Sequence, residues 1–76
     1  MPPAKKFSAK NKKLGRNIAR LRTKAGLTQE ELAEMTGIST RYVQDLEAGL
    51  YTPTIFVADA IRQSLGCSWD ELLKDC

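Results

Sequence analysis

The chain has 76 residues and a net charge of +3, and this size fits one small domain with a limited core. No apolar run is long enough to cross a bilayer, and the charged amino end has no apolar stretch like that of a secretory signal, so we expect a cytoplasmic protein with no membrane partner. Histidine is absent and the two cysteines are not spaced to share a metal, so we expect no metal, cofactor or small-molecule ligand, with Cys67 buried and Cys76 a terminal thiol.

The positive charge is concentrated in the first third of the chain. Residues 1–24 contain nine basic side chains and no acidic ones, whereas residues 25–76 contain three basic and nine acidic side chains. A basic end on a small domain is typical of a protein that binds a polyanion, and it is also consistent with a solvated tail that keeps the protein soluble.

The first ten residues are predicted to form a basic, flexible arm, with the folded domain spanning residues 11–76. A first helix should begin between Ser8 and Asn11, since either side chain can cap it. Gly26 ends this helix in a left-handed conformation. The apolar residues that recur at helical spacing along it are Leu14, Ile18, Leu21 and Ala25.

Two short helices follow within residues 28–49. Thr28 and Glu31 are predicted to form a capping box, and Gly37 then makes a tight turn. Ser39 caps the third helix and Gly49 ends it. The predicted inner faces consist of Leu32, Ala33 and either Met35 or Thr36 in the second helix, and of Ile38, Val43, Leu46 and Leu50 around the third.

A fourth helix is predicted between a cap at Thr54 and a stop at Gly66, and a fifth begins at a second capping box, formed by Ser68 and Glu71. Their predicted inner faces consist of Ile55, Ala58, Ile61 and Leu65, and of Trp69, Leu72 and Leu73. No strand pattern occurs, so the predicted fold class is all-α, with five short helices.

The arrangement within residues 28–49 is typical of a helix-turn-helix, whose second helix usually enters the major groove of DNA. At about 100° per residue, Arg41, Gln44 and Asp45 point away from the core, with Thr40 at the leading end. Arginine can bond guanine, glutamine adenine, aspartate cytosine, and threonine the thymine methyl group. These four residues are therefore predicted to read bases.

Two alternatives remain open for this face. It can be the ordinary solvated side of an amphipathic helix. Asp45 can also pair with Arg41, four positions earlier, and fix the guanidinium plane instead of bonding cytosine.

Contacts with DNA phosphates are predicted on three elements. Gln29 begins the second helix, where free backbone amides and the helix dipole favour a phosphate, and its side chain can also touch the third helix. On the first helix, Lys13, Arg16, Arg20 and Lys24 share one flank, which is either a DNA-facing stripe or a solvated face. The predicted phosphate contacts are Gln29, Thr28, Tyr42, Tyr51, Lys13 and Arg16.

Glu47 lies on the inward side of the third helix, where a carboxylate needs a partner. Arg22 can turn inward from the first helix. We predict an ion pair between them that ties the first helix to the third and contacts no base.

These residues resemble a known family. LTQEELAEMTGIS, then YVQDLEAG and then Pro53 and Thr54, resemble the phage repressor and Cro-type (XRE-like) helix-turn-helix domains over about residues 14–73. The matching positions include Gln29, Leu32, Ala33, Gly37, Val43, Leu46, Glu47 and Gly49. The small size is similar to that of stand-alone regulators, including controllers of restriction-modification operons and prophage repressors.

The resemblance implies a compact, lambda-repressor-like domain that binds double-stranded operator DNA, usually as a homodimer on a palindrome, and regulates transcription. It implies a phosphate contact at Gln29 and a structural bridge between Arg22 and Glu47. It also implies base contacts at the positions already given, which are Thr40, Arg41, Gln44 and Asp45.

The chain departs from the family pattern at two places. The loop after Gly49 is often basic in relatives, but here residues 50–52 are Leu, Tyr and Thr. The fourth helix carries more apolar surface than one face can bury, so Phe56 and Val57, with Trp69, are predicted to form a dimer contact. The alternative is that one of them covers the core.

Two other functions compete with DNA binding. The same helices could serve as a protein-interaction module, such as an antitoxin-like or adaptor subunit. An enzyme is disfavoured, because the sequence has no histidine, no metal cluster and no plausible pair of nucleophile and base.

Overall fold

The structure, a computed structural model, describes residues 7–76 as five helices, and no β-strand occurs within that range. The helices are α1 (Ser8–Lys24), α2 (Gln29–Thr36), α3 (Thr40–Glu47), α4 (Ile55–Leu65) and α5 (Trp69–Leu72). The predicted all-α, five-helix fold is confirmed. None of the described helices is long and apolar enough to span a membrane.

The first helix begins earlier than the predicted domain boundary. Residues 1–6 of the expected arm lie outside the described residues, but residues 8–10 form the first turn of α1. The helix begins at Ser8, within the predicted range, but the residue at the cap position is Phe7, so the cap predicted at Ser8 or Asn11 is wrong. Asn11 is instead buried, and its Oδ1 accepts a hydrogen bond of 2.8 Å from Thr52 Oγ1. This bond fastens the loop after α3 to α1.

Side-chain caps determine where the other helices begin. Thr28 Oγ1 accepts from the amide of Glu31 at 3.0 Å, while Glu31 Oε1 accepts from the amide of Thr28 at 2.9 Å. Ser68 and Glu71 form the same reciprocal box before α5. Between α2 and α3, Gly37 adopts a left-handed φ of 74°, which glycine reaches without steric cost. This residue turns the chain, and Ser39, two residues later, caps α3.

All five helices contribute to one apolar core. The buried members of this core are Ile18, Leu21, Leu32, Ala33, Val43, Leu46, Ile61, Cys67 and Leu72. Cys67 is buried as expected, and this burial raises the pKa of its thiol. Around this cluster pack the partly buried side chains of Leu14, Ile38, Tyr42, Val57, Leu65 and Trp69.

Several predicted inner residues are exposed instead. Ile55 is 66% exposed, whereas Val57 packs against the core. The reason is angular, because Val57 lies about 40° from the buried Ile61 on a helical wheel and Ile55 lies about 120° away. Leu50 and Leu73 are also exposed. In α2, Thr36 rather than Met35 takes the inner position.

Gly15 allows the carboxyl end of α3 to approach α1 closely. A β-carbon at this position would lie 2.4 Å from the carbonyl oxygen of Leu46 and 2.5 Å from that of Glu47. Such distances are shorter than any ordinary contact, so only glycine fits between the two backbones. The close approach fixes how α3 crosses α1.

Asn17 attaches the carboxyl-terminal segment to α1. Its Nδ2 donates to the carbonyl oxygens of Leu72 and Lys74, each at 2.9 Å, and its Oδ1 accepts from Arg20. The side chain is buried, so these bonds hold α5 against the first helix without leaving a polar group unsatisfied.

Candidate nucleic-acid interface

The outer face of α3 carries two exposed polar side chains, Arg41 and Gln44, and one ion pair within the helix itself. Ser39 Oγ caps the helix by accepting from the amide of Tyr42, and Val43 and Leu46 anchor its inner side. On the opposite side, Gln44 is exposed and the Arg41 side chain is 81% exposed. The helix is therefore held from behind while the polar side chains that can reach base edges face solvent.

Arg41 and Asp45 form the pair within α3. Arg41 Nε lies 3.2 Å from Asp45 Oδ1, and the Asp45 side chain is only 17% exposed. Because the carboxylate binds Nε, both terminal nitrogens of the guanidinium remain available for a guanine. Thr40, at the start of the helix, is half-buried. The four predicted base-reading residues are thus on one element, with the two longest at its surface.

Glu47 is the centre of a hydrogen-bond network that joins three helices. Arg22 Nε lies 2.6 Å from Glu47 Oε2, and Arg22 Nη2 lies 3.1 Å from Oε1. Gln29 Nε2 donates to the same Oε1 at 2.9 Å. The third guanidinium nitrogen, Nη1, donates to the carbonyl oxygen of Leu27 at 2.8 Å. The network links α1, the start of α2 and the end of α3 at one point.

The charges in this network reinforce one another. The hydrogen bond to Glu47 is the main cause that raises the pKa of Arg22, burial opposes it, and the negative charge of Glu47 adds to the rise. Arg22 therefore stays protonated across the range in which the protein would bind DNA. The Glu47 side chain is 8% exposed, and its carboxylate keeps Arg22 as a permanent cationic partner.

The residues predicted to touch phosphates are distributed around this network. Thr28 Oγ1 is used in the capping box, and Gln29 Nε2 is bonded to Glu47. Tyr42 is half-buried and its ring centroid lies 6.3 Å from that of Tyr51, so α3 and the following loop meet through their aromatic rings. The expected contact between Gln29 and the third helix is thus present.

The basic residues of α1 do not all face the same way. Gly15 faces α3, and Lys12 meets the backbone of Gly49 just beyond α3. Lys13 lies about 100° further around the helix than Lys12. Near the carboxyl end of α1, the charges of Lys24 and Arg20 contribute to the lowered pKa of Glu71, although the main cause of that shift is hydrogen bonding from Ser68.

The predicted dimer residues separate into two groups. Val57 and Trp69 are half-buried and pack against the protein's own core, and the guanidinium of Arg62 lies 5.2 Å from the centre of the Trp69 ring. Phe56 is 83% exposed. We define the 50–56 patch as the exposed apolar residues of that segment, which are Leu50, Tyr51, Ile55 and Phe56.

Four structural residues were absent from the sequence-based site. They are Asn11, Gly15, Asn17 and Lys12, which adjoins Gly49 at the end of α3. A signal did exist for the two asparagines, because they interrupt a helix whose other inward residues are apolar. Nothing in the sequence identifies Thr52 and Leu72 as their partners.

Comparisons with known proteins agree on one family. Residues 18–72 match the family model described as Helix-turn-helix. The HTH-type transcriptional regulator y4dJ of Sinorhizobium fredii (strain NBRC 101917 / NGR234) is 44% identical over 62 residues, which cover 82% of this chain and 80% of that protein. The immunity repressor protein of Bacillus phage phi105 is 34% identical over 53 residues, which cover 70% of this chain and 37% of that protein.

A solved structure with the same fold is the restriction-modification controller protein C.AhdI from Aeromonas hydrophila. The two share a TM-score of 0.80 and 31% sequence identity, over 84% of this chain and 97% of that chain.

Proposed function

Because the chain belongs to the helix-turn-helix family of DNA-binding transcriptional regulators, which are not enzymes, we propose that it binds a specific operator by inserting α3 into the major groove. The observation that carries this proposal is the combination of an exposed Arg41 and Gln44 with a helix that is fixed from behind by Glu47.

The bases are assigned from the chemistry of the exposed side chains. Arg41 would bond O6 and N7 of guanine, and Gln44 would bond N6 and N7 of adenine. Thr40 would contact a thymine methyl group at the leading end of the helix. For Asp45 the ion pair with Arg41 favours orientation of the guanidinium over direct contact with cytosine.

Phosphate contacts would frame this helix on both sides. The amides at the start of α2 that the capping box leaves free, with Thr28 and Gln29, would hold one phosphate, because the positive end of the helix dipole lies there. Tyr42 and Tyr51 would hold another, and Arg16 a third. A salt-dependent affinity is expected, since cationic side chains release counterions from the DNA.

We further propose a homodimer on a palindromic site, acting in the cytoplasm. Two copies of α3 would then lie about 34 Å apart, one turn of the duplex. Ile55 and Phe56 of the 50–56 patch support this arrangement, because both are exposed apolar side chains and Phe56 projects into solvent. Its role as a repressor is supported by the relative from phage phi105.

The test is selection of bound sites from random DNA, combined with measurement of the protein mass in solution. A palindrome that contains guanine and adenine at fixed spacing, together with a dimeric mass, is expected. Phe56→Glu should yield a monomer that remains folded and binds the palindrome weakly. Recovery of unrelated sequences would contradict specific binding, and a monomeric wild-type protein would contradict the dimer.

The 50–56 patch also favours a second candidate, a protein-interaction module that docks through the same residues. One experiment distinguishes the two candidate functions. A stoichiometric protein partner retained in nuclease-treated samples, with no site selected from random DNA, would favour the module.

A further inference from the structure

We infer that Lys12 contacts the DNA phosphate beside the carboxyl end of α3. The loop after α3 cannot make this contact with a basic side chain, because it has none. This inference rests on the proposed insertion of α3 into DNA. Residues 50–54 contain no lysine or arginine. If a cation is required at this side of the groove, another element must supply it.

The contact between Lys12 and Gly49 brings α1 to the required place. A β-carbon at Gly49 would lie 2.7 Å from Lys12 Cγ and 2.8 Å from Lys12 Cα. Gly49 has a left-handed φ of 77° and no side chain, so the lysine stem lies directly on its backbone. Lys12 is exposed, and its ammonium group therefore emerges next to the end of α3.

The order of residues around α1 gives the direction in which Lys12 points. Gly15 faces α3, and the core residues Ile18 and Leu21 lie about 60° and 120° to one side of it, whereas Lys12 lies about 60° to the other side. Lys12 is therefore on the flank of α1 that lies away from the core.

Arg16 lies on this side as well, about 100° from Gly15, whereas Lys13 lies about 160° from it and faces away from α3. The sequence alone indicated Lys13 and Arg16 as phosphate contacts, because it could not show which flank adjoins α3. The geometry transfers the role of Lys13 to Lys12. Lys13 thereby becomes a control with the same charge and chemistry on the adjacent position.

One other role for Lys12 would give the same arrangement. A lysine near the carboxyl end of a helix can stabilise the exposed carbonyl groups of that end. Such a lysine would contribute to folding and not to DNA binding. The experiment therefore measures unfolding and DNA binding on the same variants.

Lys12→Gln and Lys13→Gln each remove one positive charge and are compared with the wild-type protein. Binding is measured between about 50 and about 300 mM salt, so that the slope of log affinity against log salt can be determined. The probe is the duplex recovered by site selection. Lys12→Gln should reduce the slope of log affinity against log salt by about 0.9, which corresponds to an about eightfold loss at about 0.1 M salt. Lys13→Gln should leave the slope unchanged, and neither variant should alter the preferred bases.

Each other outcome overturns the inference. Equal slope changes in both variants would mean that only the net charge matters. An unchanged slope with a lowered melting temperature in Lys12→Gln would assign the lysine to the end of α3. If the wild-type protein binds no duplex with a measurable salt dependence, the proposed function fails at the same time, and the wild-type curve identifies that case.

Discussion

Removal of the Glu47 carboxylate should destabilise the protein more than any surface charge does. Glu47→Ala leaves two nitrogens of Arg22 and one of Gln29 without the acceptor that they now share. Breaking a buried ion pair by removing one partner costs about 3–5 kcal/mol. Arg22 is slightly more exposed than Glu47 and keeps its bond to Leu27, so the lower end, about 3 kcal/mol, is expected.

This loss is large for a domain of 76 residues. At about 0.05–0.15 kcal/mol per residue, the whole protein has about 4–11 kcal/mol of stability. A loss of about 3 kcal/mol should lower the melting temperature by about 12–24 °C. Urea unfolding followed by circular dichroism measures the change directly.

A double-mutant cycle isolates the pair, and the chain offers a matched control. Arg22→Ala and Glu47→Ala, singly and together, should give a coupling energy of about 1.5–3 kcal/mol. The same cycle on Arg41 and Asp45, a pair within one helix whose arginine is 81% exposed, should give about 0.3–0.5 kcal/mol. Equal coupling energies in the two cycles would refute the argument that burial in the three-helix network makes the Glu47 pair strong.

Three further predictions follow from single contacts. Gly15→Ala should destabilise the protein by about 1–3 kcal/mol in urea unfolding, because its β-carbon would overlap two carbonyl oxygens of α3 and this outweighs the helix preference of alanine. Unchanged stability would mean that α1 and α3 can move apart without cost. Arg41→Ala should lose about 1–3 kcal/mol of the binding free energy that distinguishes one base pair, and Asp45→Asn should relax the preference for the same base pair. A uniform loss of affinity on all sequences would assign Arg41 to a phosphate. Hydrogen bonds from Ser68 lower the pKa of Glu71, so the stability contributed by its charge is present above about pH 4.5 and is lost as the pH falls through the lower folded-state pKa. Glu71→Gln should therefore reduce the fall in melting temperature at acid pH, and an identical fall in both proteins would contradict this prediction.

The sequence predicted those features of the fold that depend on neighbouring residues. The capping boxes at Thr28 and Ser68 each involve residues three positions apart, and Gly37 makes its turn within the backbone itself. The family resemblance is confirmed for the same reason, because its motif is a local pattern of caps, turn and core positions.

Features that depend on distant partners were less accessible. Asn11 and Asn17 bond groups 41 and 55 residues away, and no spacing along the chain encodes such a pair. The inner face of α4 was misjudged because apolar residues occur at three consecutive positions there, so periodicity alone could not tell Ile55 from Val57. The ion pair was predictable because Glu47 is a charged residue among apolar positions.

The position of the Glu47 network has a consequence for DNA binding that stability alone does not describe. The network holds the carboxyl end of α3, whereas Thr40 and Arg41 are at the amino end, about 9–10 Å away at 1.5 Å per residue. A tilt of about 5° at the gripped end would move Thr40 by about 1 Å, and hydrogen bonds to base edges form only over about 2.7–3.2 Å.

Such a tilt would leave Val43 and Leu46 in the core but would misplace the side chains that read bases. We therefore expect Glu47→Gln, which keeps the shape of the side chain and loses its charge, to bind the selected duplex more weakly at temperatures where it is fully folded. The affinity should fall for the selected sequence more than for random DNA, because base contacts are affected before phosphate contacts are. Equal losses on both kinds of DNA would mean that the network serves stability alone, since a correctly positioned α3 would keep its discrimination between sequences.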